Sequence, residues 1–258
     1  MTQTAHCARP LAGKAALVTG GGSGIGRAIC LAFAQAGAHV VVAGRTLGKI
    51  ALVAEEIRTN GGQVATVAGD VSRGADVQAM VGAALEQFGG LDVLVNNAGI
   101  SPSGSVTAIS EAEWDECIAV DLRSVFLGAK YAIPAMQRYG GGVILNTAGT
   151  FGLRPARGKA AYAAAKAGVI NLTRAIALDY AHDAIRCNAI CPGFVATPLT
   201  EGVDPAERDR FLAQYQPLSG VIQADEVAAL AVYLASDAAR MITGQTFVID
   251  AGQQAGIY

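Results

Sequence analysis

Tyr162 and Lys166 stand four residues apart in the alanine-rich run Tyr162-Ala163-Ala164-Ala165-Lys166. That spacing puts a phenol and an ammonium on one face of a helix, one turn apart. Such a pair suits proton transfer, because the cation stabilises a tyrosinate. A second group of residues points to a nucleotide. Thr19 to Gly26 reads T-G-G-G-S-G-I-G, between an apolar run (Ala15 to Val18) and a helical period (Ile29, Phe33). A glycine loop there lets a pyrophosphate sit on the helix N-terminus, where free N–H groups and the helix dipole favour negative charge. The two segments combined predict hydride-transfer chemistry with a tuned proton donor.

The elements that must carry these residues alternate in type. Apolar runs at Ala15–Val18, Val40–Ala43, Val64–Ala68, Leu91–Val95, Val143–Asn146, Ile185–Ile190 and Thr246–Asp250 read as strands, with helical periods between them. The pattern predicts a parallel sheet covered by helices on both faces. Gly61-Gly62 and Gly89-Gly90 stand where left-handed helix caps are wanted, and Ser110 with Glu113 reads as a capping box. Residues 1–10 read as a flexible tail before one domain over 11–258. Its longest irregular stretch, about 198–220, carries a short helical pattern (Pro205 to Gln214) suited to a substrate lid.

Composition narrows the class. The chain has 258 residues, 52% of them hydrophobic and 16% charged, which suffices for a large core yet leaves no apolar run as long as a membrane span. A net charge of −2 without a basic block gives nucleic-acid binding no electrostatic support. The five cysteines are odd in number and scattered, which fits a reducing cytoplasm rather than a disulfide framework. Cys187 and Cys191 read as packing residues rather than a metal pair, and His6, His39 and His182 match no catalytic or ligand spacing. No metal is expected.

The cofactor is read at the second strand. An acid at its end would grip ribose hydroxyls and repel a 2′-phosphate. Gly44 stands there instead, followed by Arg45 and Thr46, and the planar guanidinium pairs well with a phosphate. NADP(H) is therefore preferred, with NAD(H) still admissible.

From about Lys14 to Gly252 the chain resembles the classical short-chain dehydrogenase/reductase family. Five segments carry the likeness, in order: Thr19–Gly26, Asp70-Val71, Asn96-Asn97-Ala98-Gly99, Tyr162 with Lys166, and Pro192-Gly193-Phe194-Val195-Ala196-Thr197. The resemblance implies a Rossmann-type, doubly wound, seven-stranded parallel sheet, and a homotetramer built through the long helices and the segment Ala224 to Asp250. It implies a cofactor held by Gly20, Ser23, Gly24, Ile25 and Gly26, by Asp70 and Val71 at the adenine, and by Asn97, Ala98 and Gly99. Pro192, Gly193, Val195 and Thr197 would hold the nicotinamide amide. Tyr162 would give or take the hydroxyl proton of a small ketone or secondary alcohol, while Lys166 holds the nicotinamide ribose. A free phenol titrates near ~10, so work near neutrality needs about three units, or roughly 4 kcal/mol, from that ammonium and the oxidised ring.

Two family positions depart from the pattern. Along N-x-S-S…Y, Asn146 matches, but Ala148 and Gly149 stand where the serines belong. Along W-D-x-x-x-x-V-N, the run Trp114 to Asp121 ends in aspartate instead of asparagine. Asp121 can keep Lys166 charged, and its own charge tends to raise the tyrosine pKa. Losing a donor to a developing oxyanion costs ~10²–10³ in rate. Thr150 is the nearest hydroxyl to take over, and Thr147 shares the strand face of Gly149 a step deeper. The substrate pocket is expected from Ser101, Pro102, Ser103, Thr150, Phe151, Leu153, Arg154, Phe194 and the lid. Arg154 and Arg157 are either solvated charges or contacts to an acidic substrate. Gly149 and Asp121 also leave open a non-redox enzyme (isomerase, dehydratase or cyclase) or a cofactor-binding, non-catalytic protein.

Overall fold

Short runs rich in Val, Ile, Leu and Ala form β1 (Ala15–Thr19), β2 (His39–Gly44), β3 (Val64–Ala68), β4 (Val93–Asn96), β5 (Gly142–Thr147), β6 (Ile185–Pro192) and β7 (Thr246–Ile249). In this computed structural model, which describes residues 9–256, they make one sheet in the order β3-β2-β1-β4-β5-β6-β7. Every pairing is parallel. The architecture is the doubly wound, Rossmann-type fold expected. The inner strands read as continuous apolar runs because helices cover both faces. The strands differ at their ends from the sequence expectation. β6 runs on to Pro192 because β7 pairs alongside Cys191 and Pro192. β7 stops at Ile249, where the Asp250 carboxylate turns back to accept from the N–H groups of Gly252 and Gln254.

One face packs α1 (Gly24–Gln35), α2 (Leu47–Thr59) and α8 (Ala224–Ala235), whose Phe33, Ile50 and Leu234 sit on Val18, Val40 and Val95. The other packs α3 (Gly74–Phe88), α5 (Ser124–Arg138) and α6 (Ala160–Tyr180) against Leu17, Leu94 and Ile144. The expected capping box opens α4 (Glu111–Ile118), with Ser110 Oγ accepting from Glu113 N and Glu113 Oε2 from Ser110 N. A π-helical turn, Ala119–Arg123, then joins α4 to α5. The stretch expected as a lid carries α7 (Pro205–Tyr215). Residues 1–8 of the expected tail lie outside the described residues. Arg9 and Pro10 are described, and the turn they open leads into β1.

The chain leaves β1 toward β2 and returns past it to β4. The carboxyl ends of these two neighbours therefore open a crevice at the point where the winding reverses, the usual ligand position in such sheets.

Candidate active site

Thr19, the last residue of β1, ties the floor of this crevice together. Its hydroxyl accepts from the N–H groups of Asn97 and Ala98 at 3.0 and 3.2 Å, and its carbonyl accepts from Asn97 Nδ2 at 3.1 Å. Deeper, Asn96 donates to Asn146 Oδ1 and Asn146 to Thr173 Oγ1, both at 2.9 Å, so β4, β5 and α6 share one buried polar chain. Cys187 and Cys191 lie within β6 and are buried. Burial pushes the Cys187 thiol up to about 12.

Above this floor lies a cleft of about 760 Å³. Gly20, Ser23, Gly24 and Ile25 line it at the N-terminus of α1. The Ser23 side chain does not cap that helix, which leaves the first-turn N–H groups for a ligand. An anionic pyrophosphate fits this cradle. Gly26 does not line the cleft. A side chain there would come within 2.2 Å of Gly20 O, so this glycine lets the helix press against the loop. Arg45, Thr46, Asp70 and Val71 line the far end, and Lys49 joins them from the first turn of α2. The Asp70 carboxyl is held below its ordinary range, first by the Ser72 N–H it accepts from and also by nearby Arg45. Asn97, Ala98, Gly99, Pro192, Gly193, Val195 and Thr197 complete the rim.

At the near end, Tyr162, Lys166 and Asp121 share the wall. Lys166 Nζ lies 3.1 Å from Asp121 Oδ2 and donates to Thr147 O at 3.1 Å, and it sits 5.5 Å from the centre of the Tyr162 ring. The π-helical turn presents Asp121 to this pair. Its Oδ1 accepts from Ile100 N at 2.8 Å. Burial pushes the Tyr162 phenol up. The Lys166 charge opposes that rise, and the Asp121 charge adds to it. For Lys166, burial alone would lower the ammonium, but Asp121 and Tyr162 outweigh it and the net direction is up.

Gly149 lies beside the phenol at φ +142°. An added Cβ would stand 3.2 Å from Tyr162 Oη. Thr150, buried to 4% exposure, follows it on a single 3-10 turn and lines the cleft. The Thr147 hydroxyl is committed to Asn97 Oδ1 at 3.3 Å. Of the residues expected in the substrate pocket, Ser101, Phe151 and Phe194 line it, but Pro102, Ser103, Leu153 and Arg154 do not. The 3-10 turn leaves Leu153 and Arg154 exposed. Arg157 lines the cleft, as does Lys159, which sequence reasoning passed over. Their signals were available: Lys49 follows Arg45 by four residues, and Lys159 precedes Tyr162 by three. The stretch expected as a lid meets the cleft through Phe194, whose ring lies 6.2 Å from Phe211 of α7.

A doubly wound parallel sheet with a glycine loop at its switch point and a tyrosine–lysine pair across the cleft defines a dinucleotide-dependent oxidoreductase class. The family described as enoyl-(acyl carrier protein) reductase matches residues 20–254. The chain is 40% identical over 250 residues to 3beta-hydroxysteroid dehydrogenase 2 of Eggerthella lenta, covering 95% of this chain and 96% of that one. It is 39% identical over 259 residues to D-beta-hydroxybutyrate dehydrogenase of Cupriavidus necator, covering 94% and 98%. A solved short-chain dehydrogenase/reductase from Burkholderia xenovorans superposes with a TM-score of 0.92 at 37% identity, over 96% of this chain and 99% of that one. The chain belongs to the short-chain dehydrogenase/reductase family, whose members are oxidoreductases using nicotinamide dinucleotides. Among the described residues, no helix is long and apolar enough to cross a membrane.

Proposed function

We propose that the protein interconverts a small ketone and its secondary alcohol, with NADP(H) preferred over NAD(H). The observation that carries this reading is the Tyr162 phenol on the cleft wall, backed by Lys166 and Asp121 across from an uncapped helix N-terminus. Bound NADPH supplies a hydride to the carbonyl carbon, so that carbonyl, NADPH and a proton give alcohol and NADP+. Tyr162 Oη donates that proton to the carbonyl oxygen as charge develops there. The Lys166 ammonium, held by Asp121 and Thr147 O, stabilises the phenolate left behind, and a proton from solvent restores it. Burial holds the phenol in its protonated form, the form that donates to a carbonyl oxygen. The Thr150 hydroxyl is the donor we assign to the carbonyl oxygen where the family's serine is missing.

Arg45 and Lys49 support NADP(H), since both line the end of the cleft where a 2′-phosphate would fall and no acid stands at Gly44. Relatives named for a hydroxysteroid and for hydroxybutyrate support hydroxyl–carbonyl chemistry across substrates of very different size. Exposed Phe126 on α5 and Leu178 on α6, with Tyr233 on α8 and Val248 on β7, support a homotetramer joined through those faces. The free, buried cysteines 30, 117, 187 and 191 support a cytoplasmic setting.

The test is NADPH and NADH consumption over a panel of ketones and aldehydes, with Tyr162→Phe alongside. We expect turnover that prefers NADPH and falls by ~10²–10⁴ in the variant, the usual worth of a positioned proton donor. Nucleotide binding without consumption across the panel overturns the redox reading.

A further inference from the structure

We infer that the cleft takes a carbonyl substrate bearing a carboxylate, an oxo acid or the hydroxy acid it becomes, with Lys159 receiving the acid group. This rests on the redox reading above and names its substrate class.

Lys159 is the residue from which α6 starts, three before Tyr162 and seven before Lys166, so the three share one stripe of the helix. All three line the cleft. The Lys159 ammonium donates to Ser103 Oγ at 2.9 Å, Ser101 Oγ at 3.0 Å and Ser101 O at 3.2 Å. Every one of these partners is a neutral oxygen. Among the described residues no carboxylate forms an ion pair with Lys159. Its charge is partly removed from water, and that burial pushes the ammonium below its ordinary value.

A half-buried cation with no counter-ion is costly, whereas an anionic ligand beside it restores the balance. The neighbouring charges leave that place open. Asp121 is committed to Lys166 at 3.1 Å. Arg157, two residues before Lys159, adds a second cation to the same wall, against the single exposed acid Glu207 from the lid helix.

The serines make this a receiving site as well as a brace. A hydroxyl that accepts from Lys159 still has its own proton to give, so Ser101 on the cleft wall can donate to a carboxylate held by the ammonium. One helical turn separates Lys159 from Tyr162. An acid group at Lys159 therefore lies a few bonds from a carbonyl at Tyr162, the arrangement of a short 2-, 3- or 4-oxo acid. Were Lys159 only a brace for the Ser101–Ser103 loop, a neutral donor would serve without the desolvation cost.

The experiment compares acids with their neutral esters on the full chain: pyruvate, acetoacetate and levulinate against their methyl esters, with NADPH. Wild type is expected to prefer at least one acid over its ester by tenfold or more in kcat/KM. Lys159→Gln should cut that acid-to-ester ratio by about 10²-fold, chiefly through KM, as for a lost hydrogen bond to a charged group, and Lys159→Arg should keep most of it. Esters matching or exceeding all three acids in the wild type overturn the inference, as does a ratio that Lys159→Gln leaves unchanged. Calorimetric binding of acetoacetate to the NADP+-loaded chain separates the two readings. Binding lost in Lys159→Gln supports the anion site even where no carbonyl is turned over, which would sink the redox reading alone. Turnover of neutral ketones with no acid bound sinks the anion site and spares the redox reading.

Discussion

The two ends of the cleft handle charge in opposite ways. At the end beside β2, where we propose the nucleotide binds, Arg45 and Lys49 are exposed on the turn and first turn of α2. At the reacting end Lys166 and Asp121 meet at 3.1 Å with side chains 4% and 0% exposed. Two unit charges 4 Å apart are worth about 1 kcal/mol in water and about 4 kcal/mol at an effective dielectric of 20. On the proposed reading, the exposed cations would bias nucleotide choice in a graded way that salt screens. The buried pair is coupled: each charge sets its neighbour's proton affinity, and removing one orphans the other.

The largest break in this contrast is expected at Asp121. Asp121→Ala leaves the Lys166 ammonium buried without a counter-ion, held by Thr147 O and the Tyr162 ring, and should lower unfolding stability by about 3–5 kcal/mol, read from the urea midpoint. Asp121→Asn keeps an acceptor for Ile100 N and isolates the charge effect. The Asp121 carboxylate adds to the rise of the Tyr162 phenol, so removing it stabilises the phenolate and lowers the tyrosine pKa. Oxidation, which needs phenolate, should then rise at lower pH. Reduction, which needs the phenol, should also begin to fail at lower pH, both profiles moving by about one unit. Profiles that stay in place would show that Asp121 only supports the loop at Ile100.

Arg45→Ala tests the graded end. It should raise the KM for NADPH by about 10–100-fold, the worth of a charge-assisted pair with a phosphate, and leave that for NADH nearly unchanged. Lys49→Ala should act in the same direction with a smaller effect. The wild-type preference for NADPH should shrink toward 1 M salt, where the screening length is about 3 Å. The tyrosine pKa, set by a buried pair, should not follow. A wild-type preference for NADH removes the role given to both cations.

The same contrast governs how much was legible from the residues alone. The glycine loop could be read because its chemistry lies in consecutive residues at a strand–helix junction, and the sheet because its strands are continuous apolar runs. Tyr162 and Lys166 declared themselves through helical spacing. Lys49 and Lys159 did not, although their spacings from Arg45 and Tyr162 were plain. Whether a lysine at a helix start faces a cleft or water depends on how the helix is rotated against the sheet, and distant packing decides that. Leu153 and Arg154 failed as pocket residues for a local reason, the 3-10 turn at Thr150–Gly152. Asp121 was visible as a substitution, but the π-helical turn that presents it to Lys166 has no signature in single residues.

Gly149 separates a lost function from a rebuilt one. If the missing serine were a simple deletion, Gly149→Ser would restore an oxyanion donor worth ~10²–10³ in rate. The backbone argues against that outcome. At φ +142° a side chain is rarely tolerated, and its Cβ would stand 3.2 Å from Tyr162 Oη. Such strain costs of order 1–3 kcal/mol, so both Gly149→Ser and Gly149→Ala should lower the unfolding midpoint by similar amounts. Neither should gain turnover. A serine variant faster than the alanine variant by tenfold or more would mean that the backbone adjusts and the hydroxyl reaches the carbonyl. With serine and alanine equal, the burden falls on Thr150: Thr150→Val, which keeps the shape and removes only the hydroxyl, should then cost at least tenfold in kcat with little change in KM, because a donor to the developing oxyanion acts mainly in the transition state. A Thr150→Val enzyme as fast as wild type would leave the carbonyl oxygen to Tyr162 alone.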